Sequence, residues 1–221
     1  MSLVVVLPVK ALGRAKARLG ESGVGAADRL ALATGMLTDV LEALERSRLV
    51  DDVVVVTSDR QVEVIARSYG SQVIAEDPDG GHSEAAAIGA RWALEDGAFH
   101  ALLLAGDTPA IDHEEIDVLA DMLADGPDVV IVPDRHGTGT NALLLTPPDV
   151  IEPTFGPGSR ERHERLAREA GAKVHVAEVP SLLLDIDTAA DLDALAERLA
   201  QAPKDTAAYT RAALRRVRRD T

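Results

Sequence analysis

Short β-branched or leucine-rich runs alternate along this chain with stretches in which apolar residues recur every three or four positions. The unbroken runs VVVL (4–7), VVVV (53–56), VI (73–74), ALLLA (101–105), VVIV (129–132) and ALLL (142–145) predict buried strands. VHVA (174–177) and LLLDI (182–186) predict two more. Helical periodicity fits residues 26–47, 59–69, 83–96, 112–125, 159–171 and 188–201. Asp59 follows a strand directly, and Thr188 stands three residues before Asp191 in capping-box spacing, so both mark helix starts. Strand and helix alternating this regularly means βαβ units and a mainly parallel sheet, the α/β class. The chain has no internal repeat and no linker to a second domain. We read one domain over 1–202, then a basic tail at 203–221 where the pattern weakens to a loose or peripheral helix.

Composition narrows the picture. With 221 residues and 46% hydrophobic content there is material for one sizeable core. Aromatics are 2%, so that core is built from Val, Leu, Ile and Ala. The absence of cysteine excludes disulfides, thiolate zinc sites and a cysteine nucleophile. The opening MSLVVVLPVK is too short for a signal peptide and no apolar run reaches membrane-spanning length, so a cytoplasmic protein without a membrane partner is expected. A net charge of -14 argues against nucleic acid as a partner, because a duplex binder needs a basic face. It also makes local cation clusters informative. One is KALGRAKAR, with Lys10, Arg14, Lys16 and Arg18; the other is the tail RAALRRVRRDT.

In open α/β sheets ligands gather beyond the carboxyl ends of the strands, which points to loops 8–25, 57–59, 76–84, 106–111, 133–141, 152–160 and 185–188. The basic loop after the first strand suits a polyphosphate, or is simply solvated. It is neither a Walker A loop nor GxGxxG. Asp107, in AGDTPA at the end of a buried run, suits a Mg²⁺ ligand, with Asp112 better placed to cap the next helix. Asp185 and Asp187 alternate across the end of a strand: one can share the metal while the other caps the last helix, and spacing leaves open which. Gly80 and Gly81 let the backbone approach a flat ligand, and Ser83 begins a helix. In FGPGS, Gly156 and Gly158 free the backbone and Ser159 opens a helix, which supplies an anion site. Thr138, Thr140 and Asn141 of GTGTN can add side-chain donors to the same anion. Two phosphate sites follow, one for a nucleoside triphosphate and one for a phosphorylated acceptor. His136 and His163 fall in these loops without an evident nucleophile partner.

Taken in order, PVK…AKARL, GDTPA, PDRHGTGTNALLL, FGPGSRERH and LDIDTAADL resemble the guanylyltransferases of coenzyme F420 biosynthesis, over nearly the whole chain to about residue 200. GTGTN with FGPGS is the specific part, whereas GDTP and DIDT occur across the nucleotide-diphospho-sugar transferase fold. The resemblance implies that fold, a three-layer Rossmann-like mixed, mainly parallel sheet in a single domain. It implies transfer of GMP from GTP, with Mg²⁺ as cofactor, to phosphoenolpyruvate or to 2-phospho-L-lactate. The Ala-, Arg- and Asp-rich composition looks bacterial, and bacterial relatives favour phosphoenolpyruvate. Pro8, Lys10, Lys16 and Arg18 would then meet GTP, with Gly81 and Ser83 beside its base or ribose. Asp107, Asp185 and Asp187 would supply the metal ligands, and Lys16 and Asp107 the catalytic pair. Thr140, Gly156 and Ser159 would bind the acceptor phosphate. The labile product implies hand-over to the downstream F420 transferase; oligomeric state is left open. The family often shows Gly-Leu-Asn where this chain has Gly81-His82-Ser83, and Asp-Leu-Pro where it has Asp107-Thr108-Pro109. The rival readings are another nucleotidyltransferase of this fold acting on a sugar phosphate or pterin, and a nucleotide-binding regulator without catalysis.

Overall fold

A computed structural model describes residues 2–76, 81–123 and 126–220. Among them, seven strands form one sheet: β1 (Leu3–Pro8), β2 (Asp52–Thr57), β3 (Gln72–Ala75), β4 (His100–Leu104), β5 (Val129–Pro133), β6 (Thr140–Leu145) and β7 (Val174–Val176). Their order is β3-β2-β1-β4-β6-β5-β7. Only β6 runs antiparallel to its neighbours, β4 and β5; the other pairings are parallel. The helices are α1 (Ala17–Glu21), α2 (Ala26–Arg46), α3 (Arg60–Ser68), α4 (His82–Glu95), α5 (His113–Asp121), α6 (Ser159–Glu169), α7 (Ala189–Gln201) and α8 (Ala208–Asp220). The expected caps form: Asp59 accepts from Gln61 N, Asp112 from Glu114 N, and Thr188 with Asp191 makes a capping box.

The strands are apolar throughout because both sheet faces are covered. Val5 and Leu7 point into one core with Leu37, Leu41 and Leu44 of α2 and Ile116 and Leu119 of α5. Val4 and Val6 point the other way, against Ala85, Ala86, Ala90 and Ala93 of α4. Small residues on α4 let it lie close to the sheet. A Cβ on Gly89 would collide with Val6 Cγ1. A third cluster joins Leu19, Met36, Leu184, Ile186, Leu195, Leu199, Leu214 and Val217, fixing α7 and α8 on the outer side of α2.

Two expectations are corrected. Residues 182–186 are not a strand: a 3₁₀ turn spans Pro180–Leu182 and no sheet pairing follows. The leucines are apolar because they fill the clefts between layers, Leu182 under the α2 side of the sheet and Leu184 and Ile186 against α7 and α8. A short apolar run does not by itself distinguish those two fates. The tail after Pro203 is not loose either. Asp39 of α2 accepts from Tyr209 N (3.0 Å) and Thr210 N (2.8 Å), capping α8 across the helix pair. A Cβ at Gly35 would lie 3.0 Å from the α8 backbone, so glycine permits the close approach. Arg211 donates to the carbonyls of Leu199, Ala202 and Pro203 and closes the α7–α8 turn. Among the described residues no helix is long and apolar enough to cross a membrane.

Gly89→Ala is expected to destabilise the fold by about 1–3 kcal/mol, because one methyl group must displace a strand of the core. Urea unfolding measures the loss, and Val6→Ala in the same chain should recover part of it.

Candidate active site

The basic loop turns back over the carboxyl end of β1. Val9 N donates to Val56 O (2.9 Å), and Leu12 N to Asp59 Oδ2 (2.8 Å), which ties the loop to the start of α3. A 3₁₀ turn at Leu12–Arg14 leads to Lys16, which has left-handed backbone (φ 59°, ψ 37°) and stands at the N-cap of α1. For a residue with a Cβ this conformation costs about 1–3 kcal/mol and persists only where surrounding contacts fix it. Those contacts are ionic. Lys16 Nζ lies 2.5 Å from Asp107 Oδ2 and 3.2 Å from Asp187 Oδ1, with 7% of its side chain exposed. Arg18 reaches Asp187 at 3.7 Å with 70% of its side chain exposed, and Lys10 lines the adjoining cleft. Burial works to lower the Lys16 pKa, but Asp107 and Asp187 outweigh it through charge and hydrogen bonds, so the ammonium is held above its ordinary value.

The three aspartates arrive by different routes. Asp107 follows β4, in a turn closed by Thr108 Oγ1 donating to Ala105 O (3.1 Å). Ile186 N donates to Asp107 O (3.2 Å), drawing the 185–187 segment alongside. Asp185 turns toward β6, where its Oδ1 accepts from Asn141 Nδ2 (3.2 Å). Burial, then repulsion from Asp107, raises the Asp185 pKa, while the Asn141 bond opposes that rise. Neither Asp185 nor Asp187 caps α7; Thr188 does. Asn141 owes its position to a bulge: pairing steps from Val132↔Ala142 to Pro133↔Thr140, leaving it as the extra residue on β6. Its amide also donates to Leu182 O (2.8 Å), so Asn141 serves the aspartate side and not the same anion as Thr140.

Among the described residues no three His, Asp or Glu side chains are grouped to hold an ion by themselves. Mg²⁺ requires less, one or two carboxylates completed by water and substrate phosphate. Asp107 and Asp187, both in contact with the Lys16 ammonium, supply hard oxygen donors of that kind in one place.

A cleft of about 750 Å³ crosses the carboxyl edge of the sheet. It passes from Glu76 after β3, by Ser58 after β2 and Pro8 and Lys10 after β1, to Asp107 after β4. Three strand spacings make that about 14 Å, room for an extended nucleotide. Leu12, Ala33, Met36 and Leu37 give it apolar walls; Glu76 stands at one end, and Lys16 meets Asp107 at the other. Ser58 and Glu76 lie in loops that the topology rule marks, but single-residue signals did not single them out. His82 also lines the cleft; burial lowers its pKa, with Asp107 opposing and Lys10 assisting. Gly81 is the exposed N-cap of α4, and Gly80 lies outside the described residues. Ser83 does not cap α4: its Oγ accepts from Phe155 N (2.9 Å).

The GTGTN and FGPGS loops meet at the start of α6, although β6 is antiparallel and the chain must return across the sheet to bring them together. Arg160 N donates to Thr138 O (3.2 Å). Asp134 organises the first loop, its Oδ1 accepting from His136 N (3.1 Å) and Thr138 N (3.0 Å). Gly156 and Gly158 have φ of +101° and +70°, which explains the glycines. The hydroxyls of Thr140 and Ser159 are buried and 3.1 Å apart. His163 joins them, with Nδ1 3.1 Å from Thr140 Oγ1 and Nε2 accepting from Thr154 N (2.9 Å). The available signal was its spacing, four residues after Ser159 on one helix face. Phe155 packs edge-on between His163 and His82, with centroids 5.4 and 5.1 Å away. The structure thus gathers Lys16, Asp107 and Asp187 at one point, with Asp185 beside them, and Thr140, Ser159 and His163 at another.

Burial, with Arg162 nearby, lowers the His163 pKa from 6.5 to about 4. The unfolded chain therefore binds the proton more tightly between those values. The contribution of His163 is full above about pH 6.5 and lost as pH falls through about 4, on the order of 3 kcal/mol in all. Denaturant midpoints across that window should show a shallower slope for His163→Gln than for the parent chain.

Three comparisons with known proteins bear on this geometry. The family model described as "Guanylyl transferase CofC like" matches residues 3–218. A phosphoenolpyruvate guanylyltransferase of Conexibacter woesei is 44% identical, covering 99% of this chain and 98% of that one. A 3-phospho-D-glycerate guanylyltransferase of Colwellia psychrerythraea is 33% identical over 87% and 90% of the two chains. In fold, the chain is similar to a putative nucleotide-diphospho-sugar transferase of Desulfovibrio desulfuricans (TM-score 0.77, 21% identity, 98% and 99% covered). It is also similar to a nucleotidyl transferase of Methanothermobacter thermautotroptrophicus (TM-score 0.65, 21% identity, 90% and 98% covered).

Proposed function

The chain belongs to the CofC-like guanylyl transferase family, and on that premise we propose that it transfers GMP from GTP to phosphoenolpyruvate, releasing pyrophosphate. The observation that carries this reading is the cleft itself, apolar along its walls and ending at the Lys16 ammonium and three carboxylates. Alone, that end is net negative; with a divalent cation on the carboxylates and Lys10, Lys16 and Arg18 alongside, it would suit a nucleoside triphosphate whose base and ribose lie in the apolar slot. Lys10, Lys16 and Arg18 neutralise the polyphosphate. Pro8, Gly81 and Ser83 border the nucleoside, and Thr140, Gly156 and Ser159 receive the acceptor's phosphate.

An oxygen of the acceptor phosphate attacks the α-phosphorus of GTP. The α–β phosphoanhydride bond breaks and the electron pair leaves on pyrophosphate. The acceptor is already ionised at neutral pH, so no strong general base is needed. The residues position two mutually repelling anions and neutralise them. Mg²⁺, held by Asp107 with Asp187 or Asp185, would supply further neutralisation of the phosphates when bound. With Asp107 and Asp187 as its neighbours, the Lys16 ammonium is held above its ordinary pKa.

The phosphoenolpyruvate assignment is supported by relatives of that name at 44% and 39% identity. The relative named for 3-phospho-D-glycerate makes that acid a necessary comparison. We place the reaction in the cytoplasm, with the labile guanylylated product passing directly to the downstream transferase of F420 assembly.

Pyrophosphate release from GTP and Mg²⁺ tests the reading, with phosphoenolpyruvate, 2-phospho-L-lactate and 3-phospho-D-glycerate in parallel and the downstream transferase and its deazaflavin supplied. Release is expected to be fastest with phosphoenolpyruvate. GTP bound tightly with no release in any tube would instead support the non-catalytic regulator. Asp107→Asn is expected to lower turnover by about a hundredfold or more while the melting temperature holds.

A further inference from the structure

We infer that His163 is a positioning residue for the acceptor site: its imidazole fixes the Thr140 hydroxyl as a hydrogen-bond donor toward the acceptor's anionic oxygen. The inference rests on the proposed acceptor role of Thr140, and makes Ser159 a second donor into the Thr140 oxygen.

The argument is a count of protons. Thr154 N is a backbone donor, so the His163 Nε2 that faces it at 2.9 Å is an acceptor and carries no hydrogen. In the neutral ring the hydrogen is then on Nδ1, which donates to Thr140 Oγ1 at 3.1 Å. The Thr140 and Ser159 hydroxyls hold two protons between them, and the 3.1 Å bond joining them uses one. The other has no protein acceptor among the described residues. Ser159 is fully buried, whereas Thr140 retains 8% exposure, so the spare donor belongs to Thr140, with Ser159 and His163 both donating into its oxygen. A hydroxyl that accepts twice presents only its proton outward. This suits a phosphate or carboxylate oxygen and repels a cation.

The ring is held for this task. Phe155 packs edge-on against it, and Phe155 N is itself fixed by Ser83 Oγ at the head of α4. Burial and the Arg162 guanidinium keep the imidazole neutral, which preserves the tautomer. The charged group acting on the ring is Arg162 on α6; the cleft-side neighbour beyond Phe155 is His82.

Two substitutions separate positioning from packing. His163→Asn can place an amide N–H where Nδ1 stands and still donate to Thr140. His163→Gln can place its amide oxygen near the Nε2 position, keeping the Thr154 contact and losing the bond to Thr140. Both are measured by calorimetric binding of phosphoenolpyruvate, with inorganic phosphate as a second probe, and by KM for acceptor and for GTP. Melting temperatures check the fold. His163→Gln is expected to weaken acceptor binding and raise acceptor KM by about tenfold to a hundredfold, the loss of one oriented bond to a charged group, with GTP KM unchanged. His163→Asn should restore most of that loss. Equal losses in the two variants, or a parallel rise in GTP KM, would overturn the inference and leave His163 a packing residue. If acceptor binding follows this pattern while no pyrophosphate is released, the inference stands and the proposed reaction fails. If the parent chain binds neither probe, the inference falls as well.

Discussion

Three segments far apart in the chain meet at one ammonium group. Lys16 comes from the loop after β1, Asp107 from the turn after β4, and Asp187 from the crossing into α7. A single buried cation between two carboxylates compensates the strain of its own left-handed backbone and gives the loop one conformation. With two carboxylates against one ammonium, that end of the cleft is net negative. Each carboxylate keeps substantial exposure, 30% for Asp107 and 46% for Asp187, so both remain hydrated and able to exchange partners. A fully buried triad would be harder to open to a substrate.

The rest of the fold supplies what that meeting point needs. Parallel β1, β2 and β4 aim three loops at one edge. The antiparallel β6 and its bulge turn Asn141 toward Asp185, while Thr140 stays with Ser159 and His163. One strand thereby separates a carboxylate cluster from a hydroxyl cluster only one residue apart in sequence.

Much of this is legible in the sequence because it is local. Unbroken apolar runs mark strands covered on both faces, and Asp59, Asp112 and Thr188 mark helix starts through bonds to their own neighbours. Asp107 is legible as a carboxylate ending a buried run beside Gly and Pro. What escaped depends on tertiary packing. LLLDI has a strand's composition, yet its leucines fill gaps between helices. The tail read as a loose or peripheral helix, while the cap that holds α8 in place is Asp39, some 170 residues away. His163 looked unpartnered because its partners lie on β6 and in the loop before α6. Lys16 stood out only as one of four cations; its burial follows from the fold.

The central claim is that the Lys16 ammonium, and not the basic loop in general, carries the reactive end of the cleft. Lys16→Met removes the charge and keeps an unbranched side chain one atom shorter, so turnover of GTP with the preferred acceptor, measured beside the melting temperature, tests it directly. The account predicts turnover lower by about a hundredfold or more with a comparatively small drop in melting, since relief of the strained Lys16 backbone offsets part of the lost ion pairing. Turnover within about threefold of the parent chain would contradict it, because transition-state stabilisation would then lie with other groups.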